Sequence, residues 1–350
     1  MILKNKKLAD PLNEITLPNF SRLGINHHSP TQASMADGIY LFRYIMCTQE
    51  ERRNFEGNAN MAAGVAVNDA IQWHYSNDIW KFNPLTKKLQ PQKNEKLSQE
   101  VAIQKTLDKF SDYIPVSDKD RDKFEHYKET IPQTIRQGFI ACDQLGAAKA
   151  NNISAEDSIN HTDKRLQLPI VGRTDLILKD FNASEQSGAA SSHLSGVSSN
   201  DAPFLSVLEF KTVWQKPMKI RKDGSRSFSS AKLPSIPSKI HLQQIAFYTV
   251  SCSPCYPSLV YLSADGFKIF TPDNCADLEK ENLKNYYEQL VKVCVRRERM
   301  LGRYAHLNDI DAVVRELIAD TDPGFDHPFY WNIGHEFVKK AKELWSNTKS

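Results

Sequence analysis

Three polar residues interrupt apolar stretches in the middle third of this chain: Asp175 precedes Leu176-Ile177-Leu178, Glu209 follows Val207-Leu208, and Lys211 stands two residues further on. A β-strand turns alternate side chains to opposite faces, so Glu209 and Lys211 share a face. A carboxylate and an ammonium are then fixed side by side on one rigid element, and a neighbouring strand carrying Asp175 adds a second carboxylate. Two carboxylates, a backbone carbonyl such as that of Phe210, and the phosphate oxygens of a substrate make a donor set suited to Mg²⁺, which keeps several of its waters. Mn²⁺ accepts the same oxygen donors and is expected to substitute. A metal held there lowers the pKa of a bound water and offsets charge building on a phosphate. Lys211 can orient that water or balance the developing charge. Glu-x-Lys alone also fits a surface ion pair. Here each acid breaks an otherwise apolar strand, and buried carboxylates are uncommon without a partner or a task.

The elements that must position these residues can be read from periodicity. Residues 30–54 have a helical pattern, with Pro30 at a helix start where its missing N–H is harmless. Helices are expected over 62–76, 98–113 and 119–149, and residues 82–97, rich in Lys, Gln, Asn and Pro, read as a loop. After Ile159 the pattern changes to strands: 165–170, 174–178 and 204–210, then 258–263 and 267–271 as a hairpin around Asp265-Gly266. A helix lies between, over 240–251. Residues 182–203, full of Ser, Gly, Ala and Asn, cannot bury a core and read as a mobile insertion. Residues 212–240 read as a second one. From about Asp277 the chain returns to helix, with breaks near 305–310 and 322–328. The expected fold class is α/β (α+β), a small mixed central sheet flanked by helices. The expected order is an N-terminal arm over 1–28, a helical region over 29–158, a catalytic core over 159–275, and C-terminal helices over 276–350.

Composition sets the outer limits. The chain has 350 residues, 40% apolar and 25% charged, which is enough for a sizeable core. Its net charge is only +3, so local clusters must carry any argument for a polyanionic partner. No apolar run is long enough to span a membrane, and residues 1–12 lack the apolar segment of a secretory signal. Six scattered cysteines fit a reduced, cytoplasmic setting.

Gly172-Arg173-Thr174-Asp175 followed by Glu209-Phe210-Lys211-Thr212 resembles the PD-(D/E)xK nuclease superfamily. His241-x-x-Gln244-x-x-x-Tyr248 is similar to the helix motif of its RecB-like and lambda-exonuclease-type branch. Gln244 and Tyr248 are four apart and lie on one helix face. The resemblance implies that this face approaches the catalytic lysine and the DNA phosphate. It also implies a restriction-endonuclease-like core, Mg²⁺-dependent hydrolysis of DNA, and catalytic roles for Asp175, Glu209, Lys211, Gln244 and Tyr248. The motifs cover about residues 165–270, and Ser29-Pro30-Thr31-Gln32 resembles the family's N-terminal opening. Where the family has Gly-x-x-x-His-x-x-x-Glu on an upstream helix, this chain has Gly64-x-x-x-Asn68-x-x-x-Gln72. Asn68 would ligate a metal through its amide oxygen, more weakly than an imidazole; the alternative is that both amides only hydrogen-bond. Some relatives carry an iron–sulfur cluster, but Cys252-x-x-Cys255 lies in the wrong place for one, and these cysteines read as small apolar residues.

The segment 212–240 leaves beside Lys211 and returns at the Gln244 helix. Lys216, Lys219, Arg221, Lys222, Arg226 and Lys232 are the expected DNA-binding residues, with Trp214 and Phe228 as stacking surfaces. The leading expectation is an exonuclease or flap-trimming enzyme of replication, repair or recombination, with replication or recombination proteins as the partners such a role implies. The alternatives are a structure-specific or restriction-like endonuclease, and a catalytically silent nucleic-acid-binding protein with the same fold.

Overall fold

The computed structural model describes residues 20–53, 58–83, 88–179, 205–220, 226–304, 306–326, 331 and 333–348. The expected insertion 182–203 and most of the expected arm lie outside the described residues. The chain forms two compact units, Met1–Glu56 with Asn160–Gly172 and Tyr287–Ser350, and Gly57–Ile159 with Arg173–Tyr286. All residues expected in catalysis fall in the second.

The second unit is a mixed α/β structure. Its strands are β1 (Asp78–Asn83), β2 (Lys88–Lys93), β3 (Ile153–Ala155), β6 (Leu176–Leu178), β7 (Leu205–Thr212), β10 (Cys255–Ser263) and β11 (Gly266–Phe270). They form one seven-stranded sheet in the order β11-β10-β7-β6-β3-β1-β2. β7 is near its centre, parallel to β10 and antiparallel to β6. A parallel pair needs a crossover, and the helix Lys239–Ser251 lies in the connection from β7 to β10. A two-stranded sheet of this unit pairs β8 (Pro217–Ile220) with β9 (Arg226–Phe228); elsewhere in the chain β4 (Ser158–His161) pairs with β5 (Ile170–Arg173).

Helices Ala59–Tyr75, Gln99–Ser111 and Asp118–Gln144 share a core with the sheet, where Val67, Ala70, Ile71, Ile135 and Phe139 pack with Leu176, Leu208 and Leu262. Each of these helices, and Lys239–Ser251, starts where a short polar side chain accepts a backbone N–H: Asn58 from Met61, Ser98 from Val101, Ser117 from Asp120 and Ser238 from His241. Such a cap contributes about 1 kcal/mol and fixes the helix start. The first unit has its own core, with Tyr40, Phe42, Leu317, Trp331 and Trp345 buried.

Three expectations need correction. Residues 88–93, read as loop, form β2. It is an edge strand of the sheet, and sheet edges tolerate Lys and Pro because they discourage further pairing. Residues 165–169, read as strand, are not one; the strand starts at Ile170. The buried Glu298 carboxylate accepts the N–H groups of Gln167 and Leu168 at 2.9–3.0 Å, so a side chain satisfies what a ladder would have. The pattern over 30–54 is broken into Pro30–Ala33, Asp37–Leu41, a π-turn Phe42–Met46 and Gln49–Arg53. Buried Arg297 takes the carbonyls of Gln32 and Met35 at 2.5 and 2.6 Å, holding the first break. Among the described residues no helix is long and apolar enough to cross a membrane.

One glycine sets the distance from helix to strand. A Cβ at Gly64 would lie 3.1 Å from Thr212 Oγ1 at the end of β7. Gly64→Val is therefore expected to destabilise the protein by about 1–3 kcal/mol through overpacking, despite valine's better helix propensity. A denaturant midpoint equal to the parent's would mean that this approach is not close.

Candidate active site

The register of the central strands explains why Asp175 and Glu209 meet. β6 and β7 pair Leu178 with Ser206, Ile177 with Val207 and Leu176 with Leu208. One residue further along this antiparallel ladder, Asp175 stands beside Glu209, on the same face. Lys211 follows on that face two residues on. On the other side of β7, Tyr261 of β10 is the register partner of Lys211.

Each carboxylate is held by an amide side chain. Asp175 Oδ1 accepts from Asn68 Nδ2 at 3.2 Å, and Oδ2 from the Phe210 N–H at 2.7 Å. Glu209 Oε1 accepts from Lys211 Nζ at 2.6 Å and from Gln244 Nε2 at 2.7 Å. Lys211 also donates to Gln244 Oε1 at 3.0 Å. Tyr248 is buried one turn along the same helix; it accepts from Gln244 Nε2 at 3.0 Å and donates to the Arg173 carbonyl. Glu209, Lys211 and Gln244 thus form a closed ring of hydrogen bonds, and Tyr248 ties it to the residue two before Asp175.

The charges are not balanced. Burial pushes the Asp175 carboxyl well above the usual carboxylate range, and Glu209 adds to this against Lys211 and the Phe210 N–H. Burial also raises Glu209, against the attraction of Lys211. For Lys211, burial opposes the ammonium, but Glu209 and Asp175 outweigh it and raise its pKa. Glu209 is 2% exposed, and its Oε2 has no hydrogen-bond partner among the described residues.

This arrangement fits a divalent cation. An unpartnered oxygen on a buried carboxylate, beside a second carboxylate that cannot easily stay ionised, lacks positive charge. Among the described residues no three His, Cys, Asp or Glu side chains come together as a metal-binding group. Mg²⁺ does not need three, since one or two carboxylates, waters and substrate phosphates complete its octahedron.

Asn68 and Phe210, expected as metal ligands, both present donors to Asp175, Asn68 its side-chain nitrogen and Phe210 its N–H. Lys216, Lys219 and Lys232 are exposed, and Arg226 begins β9; Arg221 and Lys222 lie outside the described residues. The segment 212–240 contains the β8–β9 hairpin. Phe228 stacks on His126 of the Asp118–Gln144 helix, ring centroids 3.7 Å apart, and Trp214 lies 4.6 Å from the Tyr127 ring. Both rings expected to stack on bases are thus packed on protein rings. Two residues of the site were missed: Glu156, hydrogen-bonded to Gln72 at 2.9 Å, and Tyr261, whose OH is 2.7 Å from His241 Nδ1. Burial, helped by Lys211, pushes His241 down to about 4, so it is neutral at physiological pH.

No family model matches the chain, and no curated protein does. A crystal structure of a protein named SSO0001 is similar over 56% of this chain and 86% of its own, at 15% identity and a TM-score of 0.23. A likeness at that level bears on neither fold nor function.

Asp175→Asn tests the charge imbalance. An asparagine keeps one acceptor for the Phe210 N–H and turns its NH₂ toward Asn68, whose amide can rotate to accept it. In chelator the variant is expected to be at least as stable as the parent, since one of two repelling charges is gone. A clear fall in melting temperature would show that Asp175 is not strained.

Proposed function

We propose that this chain is a metal-dependent nuclease of the PD-(D/E)xK kind that hydrolyses DNA phosphodiester bonds, acting as an exonuclease or flap-trimming enzyme of replication, repair or recombination. The observation that carries this reading is the buried Glu209 carboxylate, which keeps one oxygen unpartnered beside Asp175 while Lys211 and Gln244 fix the other.

Asp175 and Glu209 would hold the ion. Mg²⁺ bound there supplies an activated water and positive charge for the phosphate. Gln244 has its oxygen on Lys211 and its nitrogen on Glu209, which keeps the ammonium in one place. A fixed ammonium at that point offsets the negative charge that gathers on phosphate oxygens during attack. Tyr261, the β10 register partner of Lys211, is bonded to His241 of the Lys239–Ser251 helix, which is neutral and adds no competing charge. Lys216, Lys219 and Lys232 are exposed on the segment that leaves β7 just beyond Lys211, which suits contacts to DNA phosphates rather than to bases. A reduced cytoplasmic setting suits the six free cysteines.

The test is incubation with end-labelled linear DNA and with closed circular DNA, in Mg²⁺, in Mn²⁺ and in chelator. Metal-dependent loss of linear DNA with the circle left intact is expected. Nicking of the circle would favour an endonuclease, and no cleavage by a metal-binding, DNA-binding protein would favour the silent reading. Asp175→Ala and Glu209→Ala should abolish cleavage while DNA binding survives. Lys211→Ala should lose activity with metal binding retained, and Lys211→Arg should not restore it, because a planar fork does not replace a compact ammonium.

The exposed lysines make a separate prediction. Replacing Lys216, Lys219 and Lys232 together by Ala should weaken DNA binding and reduce the log–log salt slope by about 0.7 to 0.9 for each phosphate that is no longer neutralised. An unchanged slope would remove this segment from the DNA path.

A further inference from the structure

One further carboxylate belongs to this site, and nothing in the spacing of the motifs marks it. Glu156 lies in the link between β3 and β4 with φ of 57°, in the left-handed region that residues other than glycine seldom adopt. The link is bonded to the residue just before Asp175: the Glu156 N–H donates to the Thr174 carbonyl at 3.0 Å, and the Thr174 N–H to the Asp157 carbonyl at 3.2 Å. Glu156 Oε1 accepts from Gln72 Nε2 at 2.9 Å, and Oε2 lies 3.8 Å from Arg173 Nη1. Gln72 is itself buried, one turn beyond Asn68 on the Ala59–Tyr75 helix. One helix face therefore holds two carboxylates, Asn68 gripping Asp175 and Gln72 gripping Glu156.

Geometry connects Glu156 with the cation site: its link is bonded to Thr174, next to Asp175, and Gln72 holds its carboxylate one helical turn from where Asn68 holds Asp175. The Glu209 Oε2 atom, buried and unpartnered, marks where positive charge is missing. Among the described residues Glu156 does not join Asp175 and Glu209 in a three-ligand group, and its oxygens are turned to Gln72 and Arg173. Mg²⁺ and Mn²⁺ in such sites keep waters, and carboxylates that bond to those waters affect metal affinity strongly.

We propose that Glu156 is the third carboxylate of the cation site, acting on the ion of Asp175 and Glu209 through its retained waters, with Gln72 as its positioning residue. The amides at 68 and 72 then have a definite purpose. They supply N–H donors that hold carboxylates in place, while the negative charge that attracts the ion comes from another strand link. This inference rests on the metal-dependent reading above.

The test is Mn²⁺ titration of the whole chain without DNA, following free Mn²⁺ by electron paramagnetic resonance. Glu156→Gln removes the charge but keeps an oxygen to accept from Gln72, so its melting temperature in chelator should stay near the parent's. Its Mn²⁺ affinity should fall about tenfold or more. Gln72→Ala should weaken binding less, since the carboxylate remains. If the parent does not bind Mn²⁺ at all, the metal-dependent reading fails and this inference with it. If the parent binds but the Glu156→Gln titration overlays it, Glu156 is excluded while Asp175 and Glu209 keep their role. Should Glu156→Gln not fold, Glu156→Asp decides, because it keeps the charge on a shorter arm: binding weakened several-fold supports the assignment, and an overlay overturns it.

Discussion

Two carboxylates at the same level of adjacent strands repel each other, and burial makes the repulsion worse. The register of β6 against β7 imposes this on Asp175 and Glu209, because a ladder that pairs Leu176 with Leu208 brings the next residues together as well. The two acids cannot be separated without shifting that register, and a one-residue shift would turn Leu176 and Leu178 off the face where they pack and Ile177 off the opposite one. Apolar packing thus fixes an electrostatic conflict in place.

The surroundings reduce the conflict without removing it. Lys211 supplies one positive charge against two negative ones, and it is committed to Glu209 at 2.6 Å. The other contacts are neutral donors: two side-chain amides and one backbone N–H. Neutral donors stabilise an ionised carboxylate, yet they cannot cancel its charge, so the site as a whole stays short of positive charge. Filling the same positions with lysine or arginine would have given a quiet buried ion-pair network. The use of amides leaves the charge of the carboxylates uncancelled.

Much of this was legible in the sequence, for physical reasons that also explain the gaps. Asp175, Glu209 and Lys211 stood out because a polar residue in an apolar strand is conspicuous, and period-two alternation gave their shared face. Gln244 and Tyr248 were picked out by the resemblance of their motif, helical spacing set them on one face, and the structure joins them by a hydrogen bond. The mixed α/β class was clear from the change of periodicity after Ile159. β2 was not, because an edge strand built from Lys, Gln and Pro has the composition of a loop. Segment 165–169 failed in the opposite sense: its alternation suits a strand, but the N–H groups of Gln167 and Leu168 are taken by Glu298, more than a hundred residues away, and those of Arg165 and Leu166 by Asp163. Glu156 gave no local signal at all. Its link to the site depends on a left-handed backbone and on β3 pairing with β6, both of which are decided by tertiary contacts.

Asn68 and Gln72 show how little a motif frame says until its partners are known. As isolated letters they look like a weakened copy of a metal-binding helix, with both functional positions neutralised. In three dimensions they face carboxylates from two different strand segments, and each presents its nitrogen. A glutamate in the same places would repel those carboxylates instead of donating to them. The helix therefore contributes order rather than charge, and Gly64 lets it come close enough to β7 to do so. The division of labour is consistent throughout the site: strands and their links carry the charges, and helices carry the amides that hold them in place.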